Sequence, residues 1–357
     1  MAIINLAEKY SEKVQERFSQ ESLTDASFSK ALDMEFIGAK SVKVYDIGTA
    51  AVNDYSRTGA SRYGSPEDLD DHIQEFTMSQ DKSSTWTIDK GNQKEQLNVK
   101  QAGQTLQRQL REQYTPMIDR YRFARWADGA GTVQSSANAP TKSTIVSLML
   151  DLNAAFDNAG VPESGRMFYV PITYYKALLL SDEFTKADPV LVKALGKGVV
   201  GELFGVPVKK VPTGYLPSGV YFMEIFKGSA ISPVKLKDYR INNAPQGISG
   251  DLVEMRVMYD AFVIGSRAAG VGLCCAAASA VAAPTVSWSS HVATISCSTA
   301  SASVYYTDDG SDPRYSDSAK LYDSSAKPTY TAGGTVLRTA AKKSGMFQSA
   351  VTVSTDS

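Results

Sequence analysis

The segment that most constrains this chain is Leu97–Asp128, LNVKQAGQTLQRQLREQYTPMIDRYRFARWAD. Val99, Ala102, Leu106, Leu110, Tyr114, Met117, Tyr121 and Ala124 recur every three or four residues. That spacing predicts one apolar face of a helix about twice as long as an ordinary globular one. Arg108, Arg111, Asp119 and Arg122 fall on its other sides. Pro116 removes a donor from the ladder, so a bend or restart is expected there. Gly129 and Gly131 supply the stop. A helix of this length is a spine, and the segments around it decide what the chain does.

Residues 1–35 read as an arm. Leu6, Tyr10, Val14 and Phe18 line one side of a short helix, and a narrow stripe like this needs a neighbour to cover it. The arm carries seven acids and four bases. Residues 36–96 change character. SVKVYDI (41–47) alternates like a strand, and residues 72–91 read as two strands around a polar turn near Gln80–Ser83. Between them lies a run rich in turn formers. The stretch is too polar to build its own core, so the expectation is an extended β-loop supported from outside. Residues 142–272 mix helix patterns (143–159 and ITYYKALLLSD) with strand patterns (RMFYVP, VVGELFGVPVKKVP, VYFMEIF, PVKLKDYRI and a long 251–265), an α+β body. SSANAPT (135–141) and LCCAAASAVAA (273–283) read as linkers. In 284–357 helix periodicity vanishes and short alternating runs read as a small β-sandwich.

Several function classes lose ground. Net charge is −1, which gives no global pull toward nucleic acid. No apolar run is long enough to span a membrane, and the start shows no secretory pattern. The three cysteines, Cys274, Cys275 and Cys297, fit a reducing compartment better than a disulfide framework. The two histidines, His72 and His291, are far apart, and no Cys/His cluster has metal-ligand spacing. Residues 196–201, GKGVVG, match a dinucleotide fingerprint, but Gly205 and Pro207 leave no room for the helix that must follow. Ser27 and Lys30 match S-x-x-K without its companion motifs. Asp308, Asp309 and Asp312 read as a plain Asp-rich turn. The expectation is a non-enzyme with no cofactor and no metal.

The order of these parts resembles the major capsid protein of tailed bacteriophages, a fold shared with encapsulins and herpesvirus shells. The resemblance covers residues 1 to about 272 and is carried by AGQTLQRQLREQYTPMIDRYRFARWADGAG (102–131), VVGELFGVPVKKVP (199–212) and GDLVEMRVMYDAFVIGSRAAGVG (250–272). It implies an N-terminal arm (1–35), an extended β-loop (36–96), a peripheral domain (97–170 and 230–272, with the spine at 97–128) and an axial domain (171–229). A linker (273–283) then leads to the tail. The tail, through SVYYTDDGSDP (303–313) and TVLRTAAKKSGMFQSAVTV (335–353), resembles the immunoglobulin-like module at the C-terminus of chitobiase-type enzymes.

The resemblance implies hexamers and pentamers assembled in a bacterial cytoplasm into an icosahedral virion head around double-stranded DNA. The partners would be further copies of the chain, a separate scaffolding protein, a portal, and packaged DNA held non-specifically. Alternatives are an encapsulin-like compartment and a carbohydrate-binding surface protein. Candidate inter-subunit contacts are Tyr10, Phe18, Arg57, Arg62, Asp70, Asp71, Lys82, Trp86, Arg108, Arg111 and Arg122. The spine arginines are expected to pair with acids of arm or loop, each exposed pair contributing about 0–1 kcal/mol. Lys82 and Lys90 lie in the loop, but no motif marks a cross-linking partner. Trp288, Tyr305 and Tyr306 are candidate glycan contacts in a tail expected to point outward.

Overall fold

A computed structural model describes residues 22–28, 35–37, 41–47, 52–58, 62–64, 71–89, 102–181, 199–243, 245–247 and 249–356. The spine runs as α1 (Ala102–Gln109), a π-turn (Leu110–Tyr114) and α2 (Thr115–Asp128). Pro116 does not end it. In an unbroken α-helix the proline ring would press on the carbonyl of residue 112. The wider π-turn relieves that crowding: the Thr115 N–H reaches back to the Leu110 carbonyl, and the Thr115 hydroxyl donates to the same oxygen at 3.0 Å. The extra residue in that turn also moves the buried stripe. Before it, Leu106, Leu110 and Tyr114 are buried as the periodicity predicts. After it, burial passes from the expected Met117 and Tyr121 to Ile118 and Arg122, and then to Phe123 and Trp126. A straight 3.6-residue repeat could not show that one-residue slip.

The spine covers two sheets. Leu106, Leu110, Tyr114 and Ile118 pack on an antiparallel three-stranded sheet, β11 (Val234–Asn243), β12 (Gly250–Tyr259) and β4 (Gln80–Asp89), through Val253, Met255, Val257, Tyr259 and Ile88. Phe123, Trp126 and Ala127 pack on a mixed six-stranded sheet. Its spatial order is β5 (Thr132–Ser136), β14 (Val271–Ala276), β9 (Val220–Phe226), β6 (Arg166–Pro171), β8 (Val206–Val211) and β7 (Val199–Leu203). Its other face is covered by α3 (Ile145–Asn158) and α4 (Ile172–Leu179), with Met149, Leu152, Phe168, Leu178 and Phe222 in one cluster. At Gly131 a Cβ would lie 2.2 Å from the Ala268 carbonyl, so the chain can leave the spine there only through glycine.

Four expectations need correction. Residues 71–89 are not a hairpin turning at Gln80–Ser83. β3 (Asp71–Thr77) pairs with β2 (Ser41–Ile47), whereas β4 pairs with β12, and the chain bends at Met78–Ser79. The Ser79 N–H and hydroxyl both donate to Asp260 (2.7 and 3.0 Å), which fixes that bend, and residues 80–89 belong to the body. The long strand at 251–265 breaks at the same Asp260, whose carboxylate also accepts from Tyr121 and from the Ala261 N–H (both 2.8 Å). It resumes as β13 (Phe262–Val263), paired with β10 (Ala230–Ile231). Residues 273–276 are not linker: Leu273, Cys274 and Cys275 are fully buried in β14, where faces covered on both sides favour small apolar side chains. The expected linker at 135–141 begins inside β5, which pairs in parallel with β14.

The tail holds a two-stranded sheet, β15 (Thr285–Ser289) with β16 (Val292–Ser296). A four-stranded sheet follows in the order β18 (Lys320–Leu321), β17 (Ser303–Thr307), β19 (Val336–Lys342) and β20 (Thr352–Thr355). Val281, Ile295, Val304 and Ala341 form its core. Ser290 and His291 turn the first hairpin with φ of 49° and 61°, the primed-turn geometry that strand twist favours.

Candidate functional site

The candidate contacts separate into an exposed set and a buried set. β1 (Glu35–Ile37), β2 and β3 form an antiparallel sheet rooted in the body. At its root Val44 packs with Ile231, Phe262 and Ile264, and Phe76 stacks on Phe262 with centroids 4.6 Å apart. The segment joining β2 to β3 is exposed at every residue described in 52–58 and at 62–63. Val52 is 100% exposed, Tyr55 54% and Tyr63 83%, the two tyrosine rings meeting edge-on at 5.0 Å. Ser56 N–H donates to the Arg62 carbonyl at 3.0 Å, which closes the turn between them. Arg57 and Arg62 sit here as read, but Val52, Tyr55 and Tyr63 were missed. Aromatic residues inside a run of turn formers were the available signal.

Arg108 and Arg111 are exposed on the spine, and both meet Glu112, at 3.0 and 3.5 Å. The Arg108 hydrogen bond holds the Glu112 carboxyl below its ordinary range. Trp86 is half-buried on β4, its indole N–H directed at Thr105 of α1 (3.4 Å). Lys82 is exposed on the same strand. Nearby, Arg256 and Asp81 form a bidentate pair (2.9 and 2.6 Å) on the open face of the sheet. The backbone of Asp71, the first residue of β3, pairs with Ile47 of β2. Tyr10, Phe18, Asp70 and Lys90 lie outside the described residues, as does nearly all of the arm.

Arg122 pairs with an acid of the arm, Asp25, as expected, but it does so within the chain and away from its surface, so its place among the contacts between subunits must be corrected. It is 2% exposed and forms part of a polar latch that holds residues 22–28 against α2. Asp119 accepts from the Ser22 hydroxyl (2.6 Å), the Leu23 N–H (2.8 Å) and the Thr24 hydroxyl (2.6 Å). Arg122 donates to Thr24 Oγ1 (2.8 Å), Ser22 Oγ (3.2 Å), Asp25 (3.3 Å) and Ser232 Oγ (2.8 Å). Lys209 donates to the Leu23 carbonyl at 2.6 Å, and the Tyr169 and Ser27 hydroxyls meet at 2.5 Å. Phe28 lies over the Arg122 guanidinium at 4.5 Å and beside Trp126. Burial lowers the pKa of both Arg122 and Lys209, and the charges of Asp119 and Asp25 beside them oppose that shift. Asp119, Lys209 and Tyr169 were not singled out from sequence; the i, i+3 spacing of Asp119 and Arg122 was the only local sign.

Glu224 of β9 is fully buried, and among the described residues neither carboxyl oxygen has a hydrogen-bond partner. Burial raises its pKa to about 8, against the opposing pull of Arg166. Arg166 itself is held by Asn153 (2.7 Å), Asp157 (2.7 Å) and the carbonyls of Val161 and Pro162. Burial pushes the Cys274 and Cys275 thiols up to about 12 and about 11.

In the tail the three aromatic candidates do not share a platform. Trp288 is half-buried, donates to Ser354 Oγ at 2.9 Å and lies beside Tyr330. Tyr306 packs on the tail core, and Tyr305 lines a separate groove with Arg314 and Gln348. The aspartates are engaged locally, Asp308 by Lys320 and Tyr330, Asp309 by Ser311 and Ser318, and Asp312 by Arg314. Those hydroxyls hold the Asp309 carboxyl down at about 2. Among the described residues no three His, Cys, Asp or Glu side chains are grouped to hold a metal, and no helix is long and apolar enough to cross a membrane. Of the GKGVVG motif, residues 199–201 lie in β7, which turns through Phe204 and Gly205 into β8 rather than into a helix.

No protein-family model matches the chain, and no curated protein does. Solved structures do. The capsid of Helicobacter pylori bacteriophage KHP30 superposes with a TM-score of 0.55 at 9% identity, covering 71% of this chain and 90% of that one. The head of Helicobacter pylori bacteriophage KHP40 gives 0.54 at 10% identity, with the same coverage. The capsid of cyanophage P-SCSP1u gives 0.50 at 13% identity, covering 68% and 85%. The chain therefore has the fold seen in phage capsid proteins.

Proposed function

We propose that this chain is the major capsid protein of a tailed bacteriophage. Copies assemble as hexamers and pentamers into an icosahedral head that encloses double-stranded DNA, with a separate scaffolding protein and a portal as partners. The observation that carries this reading is the sheet β1–β2–β3. Its root is packed into the body, while its far end presents Val52, Tyr55 and Tyr63 to solvent. Covering a large apolar side chain contributes about 1.5–3 kcal/mol, and a closed shell repeats each such contact on every copy. The fold shared with the three phage structures supports the same reading.

In this assignment residues 1–35 are the arm, 36–77 the reaching loop, the spine with the β11–β12–β4 sheet the peripheral domain, and the six-stranded sheet with α3 and α4 the axial domain. The tail is an immunoglobulin-like module on the outer surface. A net charge of −1 suits a container that encloses DNA without gripping its sequence. Negative-stain microscopy of the purified full chain, alone and co-expressed with its scaffolding protein, tests the proposal. Closed shells of uniform diameter are expected. Monomers persisting at high concentration in both preparations would overturn it.

A further inference from the structure

The end of the spine helix has carbonyls that no residue of the helix can satisfy. Two of them are satisfied from the tail: Gln348 Nε2 donates to the Asp128 carbonyl at 2.7 Å, and the Tyr315 hydroxyl donates to the Gly129 carbonyl at 2.5 Å. Phe347 adds an apolar anchor, buried in the same cluster as Trp126 and Phe123. The tail is therefore not hung on a free tether. It caps the spine.

The same tyrosine reaches the root of the reaching loop. Gly265 stands at the start of the 3₁₀ turn Gly265–Gly270, just after β13. Its N–H donates to Gln74 Oε1 of β3 at 3.1 Å. A Cβ on Gly265 would meet Gln74 Nε2 at 2.7 Å on one side and the Tyr315 Cβ at 3.0 Å on the other. Loop strand, body and tail thus touch through one glycine with no room to spare. A cleft of about 250 Å³, lined also by Glu75, Phe76, Val263 and Asp317, opens beside this contact, so the coupling runs through Gly265 itself. Close-packed contacts of this kind transmit displacement, because neither side can move without opening a gap or a clash.

We infer that the C-terminal module is a positioning clamp: by capping the spine and wedging Tyr315 against Gly265, it fixes the angle at which β1–β2–β3 leaves the body. The module has this role whether or not it binds anything outside, and the inference holds for the single chain whatever it assembles into.

Hydrogen exchange on the full chain, with all variants compared in the same assembly state, tests it. Tyr315→Ala should raise exchange of the β2 and β3 amides about tenfold or more, while amides of β6 and β9 stay as in the parent. Tyr315→Phe keeps the ring and loses the hydroxyl, and it should give a smaller rise in the same strands. Gln74→Ala should loosen β3 from the other side, and combining it with either Tyr315 variant should add little, because both break one contact path. Unchanged β3 exchange in the Tyr315 variants overturns the inference. So does a rise spread evenly over β3, β6 and β9, which would mark general destabilisation. Should Tyr315→Ala not fold, Tyr315→Phe with Gln74→Ala gives the same decision.

Discussion

The two halves of the spine use the same residue types for opposite ends. In the first half Arg108 has 74% of its side chain exposed and meets Glu112, one turn on. In the second half the Arg122 side chain is 2% exposed, pairs with Asp119 and Asp25, and holds a separate piece of chain. Water shares the work of the first pair and is excluded from the second. A charge on a surface helix adjusts stability slightly, whereas a charge enclosed with its partners becomes indispensable once they are in place.

Breaking the buried half should have the largest effect. Arg122→Ala leaves Asp119 and Asp25 without their cation and should cost about 3–5 kcal/mol in denaturant unfolding. A loss under about 1 kcal/mol would mean the latch is no tighter than the surface pair. The buried carboxyl of Glu224 extends the comparison to pH, with a comparable effect spread over several pH units. Its pKa rises from 4.5 unfolded to about 8 folded, so the native state keeps a proton that the unfolded chain has lost. Stability should be full below about pH 4.5, decline as pH rises toward 8 and level off above it, with a total change on the order of 5 kcal/mol. Glu224→Gln should flatten that slope across a pH series of melts; a slope unchanged in the variant would assign it elsewhere. Thr24→Val removes one latch hydroxyl and should cost about 1–2 kcal/mol by the same unfolding measurement. Arg108→Ala should change stability by no more than about 0.5 kcal/mol, and that difference should shrink in high salt.

What the sequence made legible was local. VYFMEIF, the VVGELFGVPVKKVP hairpin and the helix at 145–158 each carry their periodicity within a few residues, and each is where it was expected. The first half of the spine is equally plain. What escaped depended on distant partners. β3 and β4 look like the two arms of one hairpin until Asp260, some 180 residues away, captures Ser79 and parts them. SLTDASF reads only as part of the arm until Asp119, Arg122 and Lys209 are brought around it. LCCA looks like a spacer until helices and a spine cover both faces of its strand. At the loop tip, Arg57 and Arg62 announce a polar surface in the sequence, whereas the exposure of Val52, Tyr55 and Tyr63 depends on how the segment stands away from the body.

The π-turn at 110–114 sets the phase between the two ends of the molecule. It acts like a one-tooth offset in a screw: everything after it is turned by about 100° relative to a plain helix. Excising one residue there would leave Leu106 seated on its sheet while swinging Asp119 and Arg122 away from Ser22–Phe28. The offset is thus what lets a single rod face an apolar sheet at one end and a polar clasp at the other.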